Sequence, residues 1–237
     1  MIERYLIQAS SYAGDIDGLI IMIGWIVGVW FLIAEAVFFY LIFRYRHRDG
    51  HKGEYITGEE KHQKRWITIP HALVLVCDIF IIVGAVRVWY DIKQNLPPAD
   101  ATVRIIAQQW AWSFVQPGPD GALDTADDIK TVDDLHVEVG KTYHFQLQSR
   151  DVLHDFSVPV FRLKQDAIPG RVITGWWKAT KTGTHDIQCA EICGIGHGIM
   201  FGRIHVESPQ EHAAWVQANS PAASLAALSD RQPLGEN

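Results

Sequence analysis

The sequence predicts a two-helix apolar hairpin followed by an all-β domain of sandwich or barrel type. Three observations carry this. Two long apolar runs occupy the first 90 or so residues, a basic loop separates them, and the remainder alternates short β-rich runs with Gly, Pro and Asp turns. The chain has 237 residues, room for one ordinary domain plus an anchor.

The first apolar run, residues 18–43, holds one charged residue, Glu35. A bilayer span needs roughly 20 apolar residues, so this run crosses with some tilt. It is too long for a signal peptide, and no basic region precedes it. The second run, 66–90, is interrupted by His71, Asp78 and Arg87. Pro70 is tolerable near a helix start. Asp78 falls near mid-membrane, where a carboxylate is costly and faces protein or water; a hydrogen bond to a neighbouring helix is its ordinary role. Cys77 reads as a small hydrophobe.

Between the runs, the loop 44–65 carries Arg44, Arg46, Arg48, Lys52, Lys61, Lys64 and Arg65. The positive-inside rule places it in the cytoplasm, and both termini outside. The cluster therefore has a topological meaning. A net charge of −6 argues against a nucleic-acid partner.

From residue 97 to 207 the pattern is that of a compact β domain. Strand-like runs are read at 102–115, 135–139, 141–148, 171–178, 185–189 and 199–206. After Pro209 a short helix is expected. The segment 208–237 ends in an Ala/Ser/Pro tail from Ser220, expected to be mobile.

The chain has three cysteines, too few for a disulfide scaffold. Two of them sit in Cys189-Ala190-Glu191-Ile192-Cys193, followed by His197 and Met200. Two thiols, an imidazole and a thioether within one loop are soft ligands that suit copper. A structural zinc uses Cys and His but has little use for Met. A Cys189–Cys193 disulfide leaves the spacing of His197 and Met200 unexplained. A mononuclear blue-copper site uses one Cys, so two thiolates favour a binuclear copper site. A second imidazole must come from elsewhere. The pattern alone does not select it among His136, His144, His154, His185 and His205; in strand-like runs an ordinary surface or core role is expected for His136, His144, His185 and His205.

These residues resemble subunit II of the heme–copper oxidases over nearly the full chain. The loop matches C-x-E-x-C-x-x-x-H-x-x-M at every fixed position. The segment Asp151–Pro159, the stretch Leu163–Arg171 and Gln109-Trp110-Ala111-Trp112 match further family patterns. The resemblance implies a cupredoxin-like Greek-key barrel carrying a binuclear CuA centre. Cys189 and Cys193 would bridge the coppers. His154 and Met200 would complete one, and His197 with the backbone carbonyl of Glu191 the other. The Glu191 carboxylate would point toward a magnesium at the contact with subunit I. Trp110 would receive the electron from cytochrome c or a similar donor, and Trp112 would pack beneath it.

The implied protein sits in a bacterial inner membrane with the CuA domain on the periplasmic side. Oxygen reduction and proton pumping would belong to the heme-bearing subunit I and its partners; no heme is expected in this chain. It holds no Cys-x-x-Cys-His motif, so a separate donor protein is expected. Two other readings remain: a CuA subunit of a nitric oxide reductase, and a membrane-tethered copper-binding protein without redox role.

Four features depart from the family pattern. Gln63 stands where members carry a Glu that feeds a proton pathway, with Glu59 and Glu60 nearby. Ala111 replaces a common aromatic. Asp155 follows His154 directly and is expected to face solvent. An acidic stretch with Asp120, Asp124, Asp127 and Asp128 resembles an inserted loop; oxygen-rich spacing suits calcium, although the full EF-hand pattern is missing and a solvated turn is the ordinary alternative.

Overall fold

The computed structural model describes residues 6–53 and 55–221. These form two compact units. One is the helical pair, residues 15–91; the other combines the β domain with the segment before the first helix. The tail expected beyond Ser220 lies almost wholly outside the described residues.

In the helical unit, α1 spans Ala13–Arg44 and α2 spans Lys61–Trp89. At 1.5 Å per residue, α1 is about 48 Å long, more than a bilayer core of roughly 30 Å requires. Its apolar residues surround the axis instead of forming one stripe, and large side chains such as Phe31, Leu32 and Phe43 are exposed. A helix apolar all round belongs in a protein interior or a membrane. No residue of α2 is buried. The two helices touch where Trp30 Nε1 donates to Cys77 Sγ at 3.3 Å. A Cβ on Gly84 would lie 3.0 Å from the Met22 methyl, so glycine permits close approach there. In the first turn of α2, Gln63 Oε1 accepts from the amide of Gly58 in the connecting loop at 2.8 Å. A π-helical turn, Tyr90–Gln94, follows α2.

The β domain consists of ten strands: β1 Ala101–Gln108, β2 Ala111–Gln116, β3 Ile129–Val132, β4 Asp134–Glu138, β5 Thr142–Ser149, β6 His154–Val158, β7 Leu163–Ala167, β8 Ile173–Lys178, β9 Gly183–Cys189 and β10 Phe201–Glu207. One sheet has the order β3-β2-β1-β5-β8 and the other β4-β10-β9-β6-β7. The pairs β1/β5 and β4/β10 are parallel; all other pairs are antiparallel. The run read as one strand over 102–115 is a hairpin, turning at Gln109–Trp110. The strand β6 escaped the sequence reading because all five of its residues are buried, which erases the alternation that marks a half-exposed strand. A helix, α3, Pro209–Asn219, completes the unit. Ser208 and Glu211 cap each other's backbone amides at its start.

Between the sheets lie Phe114, Phe145, Phe156, Phe161, Trp112 and Trp177, all fully buried. Trp177 stacks on Phe145 with centroids 5.4 Å apart. Gly175 faces the same ring; a Cβ there would meet it at 2.3 Å. The N-terminal segment closes one end of the sandwich. The Ala9 amide donates to Val160 and its carbonyl accepts from Thr180, each at 2.9 Å. Arg162 reaches the carbonyls of Leu6 and Ile7.

A soft-ligand metal centre at the β9–β10 loop

The ligand candidates come from three places. His154 opens β6, Cys189 closes β9, and the loop to β10 supplies Cys193, His197 and Met200. The loop is too short to wander: the Cys189 amide donates to Met200 O, and a short 3-10 turn, His197–Ile199, folds His197 back. His154 enters because β6 pairs with β9, setting Phe156 opposite Cys189.

The side chains converge. Cys189 Sγ and Cys193 Sγ are 3.7 Å apart. Both are free thiols; a disulfide would hold them at about 2.05 Å. His154 Nδ1 lies 3.8 Å from Cys189 Sγ. From Cys193 Sγ, His197 Nδ1 lies at 3.7 Å and Met200 Sδ at 3.9 Å. The Glu191 carbonyl oxygen is 3.3 Å from Cys189 Sγ. The residues that the resemblance names as ligands thus lie together around the thiol pair. The Glu191 carboxylate itself is exposed.

The surroundings fit a cation. Burial, and then the neighbouring Cys189 thiol, push the Cys193 thiol up to about 11. A bound cation reverses that preference and holds both sulfurs as thiolates. His154 is fully buried. Its Nε2–H donates to Asp151 Oδ1 at 2.9 Å, which fixes the tautomer and leaves Nδ1 toward the sulfurs. Asp151 is fixed in turn: its Oδ2 accepts from the Gln109 amide at 2.7 Å. Desolvation pushes the Asp151 carboxyl up, but the hydrogen bonds it accepts from the Gln109 amide, His154 and the Val152 amide together hold it below its usual range.

Trp110 packs directly on this loop. Its Nε1–H donates to the Cys193 carbonyl at 3.2 Å, beside the Gln109 side-chain amide at 2.8 Å. A Cβ on Gly196 would lie 2.3 Å from the indole, so only glycine lets the ring settle there. Trp112 is fully buried, edge-on to His154 and Phe156. Around the ligands, Ile192, Ile195, Ile199 and Phe201 are all more than half exposed, Ile195 almost completely.

Asp155 does not face solvent as expected. It is 5% exposed, because every β6 residue is covered by β7 or β9. It stands opposite Asp166 in the β6–β7 register. Burial, then the hydrogen bond and charge of Asp166, push its carboxyl up to about 6, against the pull of Lys164.

The acidic loop is stitched by its own hydrogen bonds. Arg104 holds Asp124 through both guanidinium nitrogens at 2.8 and 2.9 Å. Asp127 accepts from the Asp120 amide and Asp128 from the Asp124 amide, each at 3.0 Å. Asp120 Oδ1 accepts from the Ala122 amide. Gly118 is required where the loop closes, since a Cβ would lie 2.1 Å from Asp127 O. Among the described residues, two groups of at least three His, Cys, Asp or Glu bring their ligand atoms together, and neither includes this loop. One is His154, Cys189 and Cys193. The other, Asp134, His136 and His205, was not singled out by the sequence.

Fold and donor set together define the class: a cluster of soft donors of the kind that suits copper, on a β-sandwich that follows two long apolar helices in the chain. Comparison with known proteins makes this specific. The family described as "Cytochrome C oxidase subunit II, periplasmic domain" matches residues 101–208. An alternative cytochrome c oxidase subunit 2 of Bradyrhizobium diazoefficiens is 34% identical over 90% of this chain and 83% of that one. The cytochrome c oxidase subunit 2 of Thermostichus vulcanus is 30% identical over 94% of this chain and 82% of its own. A crystal structure of the periplasmic domain of cytochrome oxidase subunit II from Bradyrhizobium japonicum is 32% identical, covers 53% of this chain and 96% of its own, and superposes with a TM-score of 0.48. The chain belongs to the cytochrome c oxidase subunit 2 family.

Proposed function

We propose that the chain is the electron-accepting subunit of a proton-pumping heme–copper oxidase, with a binuclear CuA centre on its β9–β10 loop. The observation that carries this reading is the convergence of two thiols, two imidazole Nδ1 atoms, a thioether and a backbone carbonyl around one pair of sulfurs. Cys189 and Cys193 would bridge the ions, His154 and Met200 would complete one, and His197 with the Glu191 carbonyl the other. When bound, the copper pair supplies a one-electron carrier of soft-ligand character.

The chain's own residues do the rest. Asp151 orients His154, and the sandwich fixes the ligand side chains on strands and a short loop, as a preorganised site requires. Trp110 presents an indole ring whose N–H is bonded to the ligand-bearing residue Cys193, which fits a role as the aromatic that meets the donor. The exposed isoleucines and Phe201 give the loop an apolar rim for protein docking. The net charge of −4 over residues 97–207, from 14 acids and 10 bases, favours a cationic donor such as cytochrome c. The exposed Glu191 carboxylate is the proposed magnesium contact to the heme-bearing subunit I. The apolar helices would cross a bacterial inner membrane, with the basic loop 44–65 in the cytoplasm and the β domain outside. The relatives are named as cytochrome c oxidase subunits, which supports this reading over a nitric oxide reductase or a copper carrier.

The test is electron spin resonance with metal analysis on the full chain in detergent, loaded with copper. Two coppers at the thiol site sharing one unpaired electron are expected. One copper localised on a single nucleus at those thiols, or zinc held there in preference to copper, overturns the assignment.

A further inference from the structure

A second set of metal-type side chains lies on the same sheet, away from the thiols. His136 on β4 and His205 on β10 are direct partners in the parallel register, and Asp134 precedes His136 by two residues, on the same face of β4. One ligand atom from each of the three lies within 4.8 Å of the others. We propose that Asp134, His136 and His205 form a second metal site for one borderline divalent cation of the zinc type.

The arrangement of the outer hydrogen bonds points to a ligand. Each imidazole is held through Nδ1 by a partner on the far side. His136 Nδ1 meets Glu207 Oε1 at 2.7 Å, and His205 Nδ1 meets Thr184 Oγ1 at 3.0 Å. Both Nε2 atoms therefore turn the same way, toward Asp134: His136 Nε2 lies 3.4 Å from Oδ2 and His205 Nε2 lies 2.6 Å from Oδ1. A carboxylate on the outer nitrogen of a ligating histidine is the usual support of a zinc site. Glu207 is itself held by His212 Nδ1 at 3.1 Å.

Two imidazoles and one carboxylate are the donor set of open zinc sites, in which water takes the fourth place. The tetrahedral separation of such ligands is roughly 3.3 Å for bonds of about 2.0–2.1 Å. The His136 pair already has that spacing; to take an ion, the half-exposed Asp134 must rotate away from His205, and the two imidazoles, now stacked with centroids 4.5 Å apart, must splay so that both Nε2 atoms meet it. No sulfur takes part, so the site prefers a harder ion than the thiol pair does. A bound ion would tie the edge strand β4 to β10. It would also steady α3, since Trp215 stacks on His136 with centroids 4.1 Å apart.

The test uses Zn²⁺ itself. The full chain in detergent carries Cys189→Ser and Cys193→Ser, so that the thiol site cannot take the ion. Equilibrium dialysis with metal analysis should give one zinc per chain. Adding Asp134→Asn or His205→Asn should weaken binding at least tenfold, while His144→Asn, on the other sheet, should leave it unchanged. A parallel measurement on the unaltered chain with its copper filled guards against misfolding of the serine variant: X-ray absorption at the zinc edge should show a nitrogen and oxygen shell. No stoichiometric zinc in either protein, binding indifferent to Asp134→Asn and His205→Asn, or sulfur in the zinc shell would overturn the site. With both thiols replaced by serine, the dialysis result does not depend on what the thiol pair binds.

Discussion

Two ligand clusters sit on one five-stranded sheet, and they differ in how the sequence assembles them. The thiol cluster takes four side chains from one twelve-residue segment, Cys189 to Met200, and adds His154. The imidazole–carboxylate cluster takes Asp134 and His136 from an edge strand and His205 from the strand beside it. Met200 stands just before β10 and His205 lies five residues further along the chain, at most about 16 Å away at the rise of a strand. The first cluster is buried and soft; the second is half-open and hard. Burial makes the first selective, because only an ion that takes thiolates can offset the cost of hiding them. Exposure makes the second accessible, and its affinity rests on geometry held by Glu207 and Thr184.

The largest effect that separates the clusters should come from Cys193→Ser. It removes the sulfur that touches Cys189, His197 and Met200. Copper retention at the thiol site should fall by more than roughly 100-fold, beyond the range expected for a mere support residue. Metal analysis after dialysis against a chelator reads this directly. Zinc at the second cluster should be unchanged; loss of both metals together would mean that the fold, and not the site, had failed.

Next in size is Asp151→Asn. The amide keeps the shape but makes a weaker acceptor for His154 Nε2–H, at a position fully enclosed on the histidine side. A loss of about 10-fold to 100-fold in copper affinity is expected. Competition with a calibrated chelator would measure it, and an unchanged affinity would show that packing alone orients His154.

The same comparison explains what the sequence made legible. The helical pair was readable because apolar length and a basic loop are properties of contiguous residues. The loop motif was readable for the same reason, and the family resemblance supplied His154, which pattern alone did not select. The second cluster was hidden because strand register creates it. His136 and His205 are 69 positions apart, each an ordinary strand histidine until β4 is laid parallel to β10. Asp155 was misread for a related reason. An acid beside a ligand looks exposed in sequence, but β6 is covered on both sides and Asp155 meets Asp166. A signal for such cases exists only when two runs are paired before their residues are judged.

A smaller effect should follow from Gly196→Ala. The added methyl would meet the Trp110 ring at 2.3 Å, so the indole must leave its place on the loop. Overpacking of this kind costs about 1–3 kcal/mol. The copper should stay, since Gly196 supplies no ligand, while electron delivery by a soluble donor should slow as the Trp110–Cys193 hydrogen bond is lost. Trp110→Phe isolates the second part: it removes the N–H without the clash. Stopped-flow reduction of both variants, normalised to copper content, separates the steric cost from the hydrogen bond. Equal rates in Trp110→Phe and the unaltered chain would assign the effect of Gly196→Ala to packing.

The smallest effect should be that of Trp215→Leu on the second cluster. Trp215 supplies no proposed ligand atom; its ring lies flat on His136 at an interplanar angle of 11°. Aromatic pairs of this kind contribute about 1 kcal/mol beyond their buried area, equivalent to roughly fivefold in an equilibrium constant. Zinc affinity should therefore fall about fivefold, by loosening a ring that Glu207 still holds from its edge. Copper at the thiol site should not respond, because α3 packs near β4 and not beside the β9–β10 loop. A zinc affinity unmoved by Trp215→Leu but lowered by Glu207→Gln would assign the orientation of His136 to its carboxylate partner alone, leaving the stack to anchor α3.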